Sequence, residues 1–245
     1  MNKAFDKITN ERIEATPYIR SAICPLCNQE VIAKCGEIKV WHWAHKSNNE
    51  CDSFGEPETE WHLNWKNEFP KENQEVIISE NELLERDIKK HSTHDPDKKH
   101  RADVMINDLI IEFQNSPISP EQIMEREEFY DNMIWVFNGE TLGRGINLRK
   151  RNNIVTFRWK NPSKSLWNCR KPIYFDFSNY NDKYKQELME RFDFPENEAI
   201  KVSNEKPNGI LLIKTIYQNL PCGGWGKIIS KEEFIKEVKN GVIKN

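Results

Sequence analysis

The stretch that decides the fold is His100-Arg101-Ala102-Asp103-Val104-Met105-Ile106-Asn107-Asp108-Leu109-Ile110-Ile111-Glu112-Phe113-Gln114. Two apolar runs flank Asn107-Asp108, a dipeptide suited to a two-residue hairpin turn. Closure there opposes Ile106 to Leu109, and the register carries back until Asp103 faces Glu112. Facing residues have Cβ atoms about 4.5–5.5 Å apart, so the two carboxylates repel unless a cation sits between them. Gln114 falls on the same face because strand side chains alternate with period two. An oxygen-only site of this kind suits Mg²⁺ or Mn²⁺ rather than zinc. Charge solvated on an ordinary hairpin is the alternative.

Upstream, the spacing predicts a helix over Pro57–Phe69, with Pro57 at its first position and Pro70 just past its end. Glu58, His62 and Lys66 then recur at i, i+4 and i+8 along one side. Trp61, Trp65 and Phe69 make an overlapping apolar stripe that would anchor that side to a sheet. An exposed polar face is the commoner meaning of such spacing. Strands are predicted at Glu75–Ser79, Leu83–Ile88, Arg101–Ile106, Leu109–Gln114 and Met133–Asn138, with a helix at Pro120–Tyr130 before the last. This is an α/β pattern with a mixed sheet. Further on, the pattern predicts strands at Ile154–Trp159, Ile173–Phe177 and Ile210–Tyr217. Helices are expected at Asp182–Phe192 and at Lys231–Lys239, the latter capped by Ser230 with Glu233.

Four of the six cysteines lie between positions 24 and 51. Cys24-Pro25-Leu26-Cys27 is a C-x2-C knuckle, in which two thiolates approach one ion from a single turn. His45 and Cys51 would complete a closed, structural zinc tetrahedron, with His42 the rival to His45. Glu30–Lys34 and Glu37–Trp43 read as a zinc-ribbon-like hairpin around Cys35-Gly36, leaving Cys35 spare. Buried reduced cysteines beside surface histidines are the alternative. A zinc deaminase fits poorly, because no H-x-E element precedes the knuckle.

The 245 residues, 37% of them hydrophobic and including 8 Trp and 12 Phe, are enough for one large domain or two small ones built on real cores. No apolar run approaches the ~20 residues of a membrane helix, and the first twenty residues hold no secretory h-region. A cytoplasmic protein with reduced cysteines is expected. The net charge of −3 excludes a uniformly basic nucleic-acid coat but not a local basic surface. Thr141 to Phe175 holds nine basic residues and no acidic one, including Arg149, Lys150 and Arg151, with Trp159 and Trp167 interleaved. Basic groups track phosphates and aromatics stack on unpaired bases, so this segment is a candidate nucleic-acid contact; a solvated loop is the alternative. Lys98, Lys99 and Arg101 at the start of the metal strand are a second candidate, together with Arg126 on the helix that follows.

Taken together, these motifs resemble the CoiA-like competence protein family, a branch of the restriction-endonuclease-like PD-(D/E)xK nucleases. The resemblance rests on Cys24-x2-Cys27, His42-Trp43-Ala44-His45, Glu58-Thr59-Glu60-Trp61-His62-x3-Lys66, His100-Arg101-Ala102-Asp103, Ile111-Glu112-Phe113-Gln114-Asn115-Ser116 and Arg126-x3-Tyr130. It implies a core of helix, three-stranded meander, helix and strand over 56–140. An arm and zinc module over 1–55 would precede it, and a basic α+β region over 141–245 would follow. It implies that Asp103 and Glu112 bind the divalent metal with Glu58 assisting, and that Arg126 and Tyr130 lie near the site. Gln114 stands where many nucleases of the wider fold carry Lys. An amide cannot be a general base, so Lys66 or His62 would supply the charge.

The expected activity is hydrolysis of DNA phosphodiesters, in DNA uptake and recombination or in defence against foreign DNA, with recombination or defence proteins as partners and no membrane. A catalytically silent DNA-binding accessory factor is the rival reading. A zinc-stabilised protein-interaction module is a third.

Overall fold

The computed structural model describes residues 1–46, 51–86, 98–204, 207–219 and 222–243. It divides into two compact units, Met1–Glu112 with Glu128–Asn132, and Phe113–Glu127 with Met133–Asn245.

In the first unit, strands β1 (Lys3–Phe5), β2 (Arg12–Glu14), β3 (Ser21–Ile23), β4 (Glu30–Lys34) and β5 (His42–His45) form an antiparallel sheet in the order β2-β1-β3-β4-β5. Its small core is Ala4, Ala15, Ala22, Cys24, Val31 and Trp43. Alanines let the strands pack closely around the one large ring, and Trp43 Nε1 donates to Ile13 O at 3.1 Å. Tryptophan is buried well only when its N–H finds a partner. The expected second ribbon strand, Glu37–Trp43, is displaced. The chain from Cys35 to Trp41 is a loop, and β5 starts at His42.

The same unit continues with α1 (Glu60–Lys66), β6 (Gln74–Ser79), α2 (Glu80–Glu85), β7 (Lys99–Ile106) and the first four residues of β8 (Leu109–Gln114). Strand β7 pairs antiparallel with both β6 and β8. Two expectations are corrected here. The helix opens at Glu60, not Pro57, because the Thr59 hydroxyl accepts from the His62 N–H and caps it. Glu58 therefore lies in the lead-in, outside the helical periodicity. The strand expected at Leu83–Ile88 is helix over Leu83–Glu85, since Ser79 and Glu82 form a capping box that starts α2; residues 87 and 88 lie outside the described residues.

In the second unit, α3 (Pro120–Tyr130, its last three residues in the first unit) precedes β9 (Met133–Asn138), β10 (Ile146–Arg151), β11 (Ile154–Trp159), β12 (Ile173–Phe177), β13 (Gly209–Tyr217) and β14 (Gly223–Ile229). These strands run in the order β9-β12-β13-β14-β11-β10, parallel between β9 and β12 and antiparallel elsewhere. Helices α4 (Tyr180–Phe192), α5 (Glu196–Asn204) and α6 (Lys231–Lys239) complete it. Strands β9 and β12 are buried along their whole length, as expected for strands covered on both faces. Strand β14 opens with Gly223-Gly224, and a Cβ on Gly224 would lie 2.0 Å from Thr215 O. Only glycine lets β13 pair there. The chain is a mixed α/β protein. Among the described residues, no helix is long and apolar enough to cross a membrane.

Candidate functional site

The hairpin forms as the sequence predicts. Asn107 and Asp108 take φ of 51° and 62°, the mirror-image turn that matches strand twist, and Ile106 pairs with Leu109, Met105 with Ile110 and Val104 with Ile111. The ladder ends at Val104 and Ile111, and Asp103 and Glu112 follow it. The Asp103 N–H donates to Glu112 Oε1 at 3.3 Å, so the Glu112 carboxylate folds against the Asp103 backbone. Glu112 is buried, while the Asp103 side chain is 22% exposed.

Lys66 lies at the centre of the carboxylates. Its Nζ is 2.8 Å from Glu58 Oε2, 3.2 Å from Glu75 Oε1 and 3.3 Å from Asp103 Oδ1, with the lysine side chain 4% exposed. Burial opposes the charge on Lys66. The fields of Glu75, Asp103 and Glu58 together outweigh burial and raise its pKa above the ordinary lysine value. Lys66 is thus a fixed cation and not a base.

Glu75 was not legible in the sequence. It sits in β6 between the register pairs Gln74–Val104 and Val76–Ala102, so it falls opposite Asp103, with a positive φ of 48°. Its two carboxylate oxygens accept from the N–H groups of Asn2 and Lys3, each at 2.9 Å. Arg12 Nη2 donates to the Glu75 carbonyl at 2.9 Å. Burial pushes toward the neutral acid, but Lys66 and Arg101 outweigh it and hold the carboxyl well below its ordinary range. Such contacts depend on chain folded back over some seventy residues, and no local pattern announces them.

His62 is buried on α1. Its Nδ1 meets Thr59 Oγ1 at 2.8 Å and its Nε2 lies 3.6 Å from Glu56 Oε2. Burial lowers its pKa, yet the Glu56 bond and the Asp103 charge raise it overall. Asp52 was also missed. It grips the start of β7, accepting from His100 Nδ1 at 2.8 Å and from the Arg101 N–H at 3.0 Å. His100 stacks on Phe54 with ring centroids 3.6 Å apart. Lys98 sits 6.0 Å above the Phe54 ring, and Lys99 is exposed.

In the second unit, Gln114 is held at both ends. Its Oε1 accepts from Arg126 Nη1 at 3.2 Å and its Nε2 donates to Ser116 O at 3.0 Å. Arg126 is itself buried, 5.7 Å from the Trp135 ring centre. The basic segment is partly a hairpin of β10 and β11. Arg149, Lys150, Arg151 and Arg158 are exposed, while Trp159 is buried with its Nε1 donating to Arg144 O. Trp159 packs inward and offers no face for stacking.

The second cluster is Cys24, Cys27, His45 and Cys51, whose ligand atoms all lie within 4.8 Å of one another. Cys24 Sγ is 3.6 Å from Cys51 Sγ, and Cys27 Sγ is 3.2 Å from His45 Nε2. Sulfurs around tetrahedral zinc stand about 3.8 Å apart for Zn–S bonds of ~2.3 Å, so the cluster fits that ion. Burial and the neighbouring Cys24 raise the Cys51 thiol pKa, a penalty that a bound cation reverses. His42 stays out of the cluster, its Nδ1 donating to Val40 O at 2.8 Å. Cys35 packs on the core of the small sheet.

Residues 5–54 match the N-terminal domain of competence protein CoiA, and residues 88–181 match its nuclease-like domain. The chain belongs to the CoiA-like competence protein family. In this CoiA-like chain the first match holds Cys24, Cys27, His45 and Cys51, and the second holds Asp103, Glu112, Gln114 and Arg126. Glu58, Lys66 and Glu75 fall between the two. No curated protein and no solved structure matches the chain.

Proposed function

We propose that this CoiA-like chain is a metal-dependent nuclease of the restriction-endonuclease-like class acting on DNA, with a structural zinc in its N-terminal module. The observation that carries the reading is the gathering of Glu58, Glu75 and Asp103 around a lysine that stays charged, with Glu112 against the Asp103 backbone. Three carboxylates on one ammonium leave a net negative charge, which a divalent cation bound by oxygen ligands would offset. Bound Mg²⁺ or Mn²⁺ would polarise the phosphate and lower the pKa of a water.

Within that scheme Asp103, Glu112 and Glu58 hold the ion. Lys66 donates a hydrogen bond to a phosphate oxygen and offsets negative charge as it develops. Glu75 keeps Lys66 in place. In the second unit, the exposed Arg149, Lys150 and Arg151 would contact phosphates. Substituting Asp103→Ala should abolish Mg²⁺-dependent cleavage of labelled DNA while the circular-dichroism melt stays near that of the wild type. Equal cleavage by a folded variant would remove the proposal.

One observation favours the silent DNA-binding factor instead. Both ends of the Gln114 amide are already engaged, by Arg126 and Ser116, so Gln114 is not free to orient a water. Strand binding with no cleavage in Mg²⁺ or Mn²⁺ would select that reading.

A further inference from the structure

The antiparallel strands β10, β11, β14 and β13 lie side by side in the second unit. Facing residues put their side chains on one face, so the register sorts the two faces. Ile146 faces Trp159 and Leu148 faces Phe157, and these four are core. The opposite face differs in kind. One row across it reads Arg149, Thr156, Trp225 and Thr215, and the row beside it reads Asn147, Arg158, Gly223 and Tyr217. Arg151 and Lys227 stand on the same face, two residues further along β10 and β14.

Arg149, Arg151, Arg158 and Lys227 are exposed, and among the described residues none of their charged groups makes a hydrogen bond or ion pair. The four strands contain no Asp or Glu. Helix α6 meets this face at β12, where Phe234 packs on Tyr174 with ring centroids 5.0 Å apart and Glu237 stands nearby, two strands from Trp225. Trp225 is half-buried and makes no ring contact or hydrogen bond among the described residues, and Tyr217 is 56% exposed. Thr156 and Thr215 flank Trp225 with short side chains, and Gly223, between Arg158 and Tyr217, has none. The two aromatic side chains are therefore not hemmed in by long neighbours in their rows. Strands about 4.8 Å apart put Arg149 roughly 10 Å from Trp225 across the sheet.

Four cations without carboxylate partners call for anions, and uncovered aromatic rings call for flat partners. An unpaired nucleic-acid strand offers both, phosphates along its backbone and free base faces. In a duplex each base face is covered by its neighbour in the stack, so only an unpaired base can lie on Trp225. We infer that this sheet face is a platform for single-stranded DNA, on which Trp225 and Tyr217 stack bases while Arg149, Arg151, Arg158 and Lys227 hold phosphates. The inference rests on the reading that the chain acts on DNA, but it needs no cleavage and is measured without a catalytic metal.

The test is fluorescence anisotropy of a labelled oligothymidine and of a labelled blunt duplex, with the full chain and no added Mg²⁺ or Mn²⁺. Trp225→Ala should weaken binding of the single strand by about tenfold, the loss expected for one stacked base, and leave the log–log salt slope as it was. Trp225→Phe should restore most of that affinity. Arg149→Ala combined with Arg158→Ala should instead lower the slope by about 0.7 for each phosphate no longer neutralised. Melting temperatures are taken on the same samples. Should Trp225→Ala fail to fold, Tyr217→Ala decides, because its ring is largely outside the core and its loss should weaken single-strand binding several-fold. Unchanged single-strand affinity in the folded aromatic variants, or an equal loss on the duplex, overturns the platform. Cleavage by wild type and Asp103→Ala is scored separately, so failure of the nuclease reading and failure of the platform are distinguishable.

Discussion

Lys66 and Glu75 form a buried ion pair, 4% and 1% exposed, and that pairing sets what each can do. Removing one partner of such a pair leaves the other charge uncompensated at a cost of about 3–5 kcal/mol. Glu75→Gln should therefore destabilise the protein by about that amount at neutral pH. The depressed Glu75 pKa contributes stability that is complete above the ordinary glutamate value of roughly 4.3 and is lost as pH falls below it. The raised Lys66 pKa contributes stability that is complete below roughly pH 10.4 and is lost only at more alkaline pH. Urea unfolding at pH 7 and pH 3 should show the gap between wild type and Glu75→Gln shrinking at the lower pH. An equal gap at both would contradict the pairing. None of this was readable from residues in line, because Glu75 acts through a positive φ and through contacts with Asn2 and Lys3. The hairpin turn and its register from Ile106–Leu109 to Val104–Ile111 were readable, because a two-residue turn fixes its own register.

At the scale of elements, what could be read from sequence followed the range of the signal. The hairpin of β7 and β8, α3 with β9, and α6 with its Ser230 cap are set by neighbours a few residues apart, and they form where predicted. Strand β14 was missed because Gly223-Gly224-Trp225-Gly226 has the composition of a turn, and its glycines are needed only once β13 is beside them. Strand β10 was read only as charge, since Ile146 and Leu148 alone mark its buried face. Helix α2 was misread because Leu83-Leu84 looks strand-like, although Ser79 and Glu82 already spelled its cap. Helix α1 gave a different error. The i, i+4, i+8 spacing placed Glu58 on the helix, yet it reaches Lys66 from the lead-in, ahead of the Thr59 cap. Thr59→Ala removes the hydroxyl that accepts from His62 N–H and meets His62 Nδ1, and should cost about 1 kcal/mol. Thermal melting would register this as a lower midpoint, and an unchanged midpoint would show that the cap contributes nothing.

At the scale of the molecule, two sets of polar side chains of different chemistry are gathered in the first unit. Thiolates and imidazole gather in the N-terminal module, and carboxylates gather beside α1 and β7. Sequence spacing singled out all four soft ligands, because a knuckle and a following His and Cys are local features, and the cluster takes His45 rather than His42. The N-terminal module that holds the Cys3His cluster also supports the rest of its unit. Cys51 adjoins Asp52, whose carboxylate grips His100 and Arg101, and Asn2 and Lys3 cap Glu75. Stripping the soft metal with a thiol-reactive chelator should release about one zinc per chain and lower the melting temperature. No zinc in the purified protein, with no change on chelation, would contradict that assignment.

The most direct test of the central claim is a crystal of the full chain soaked in Mn²⁺, with anomalous scattering collected at the manganese edge. The account predicts a manganese peak bonded to carboxylate oxygens of both Asp103 and Glu112 at about 2.1–2.2 Å, with Glu58 beside it. An ordered site with Asp103 and Glu112 in place and no manganese between them, at saturating Mn²⁺, would contradict it.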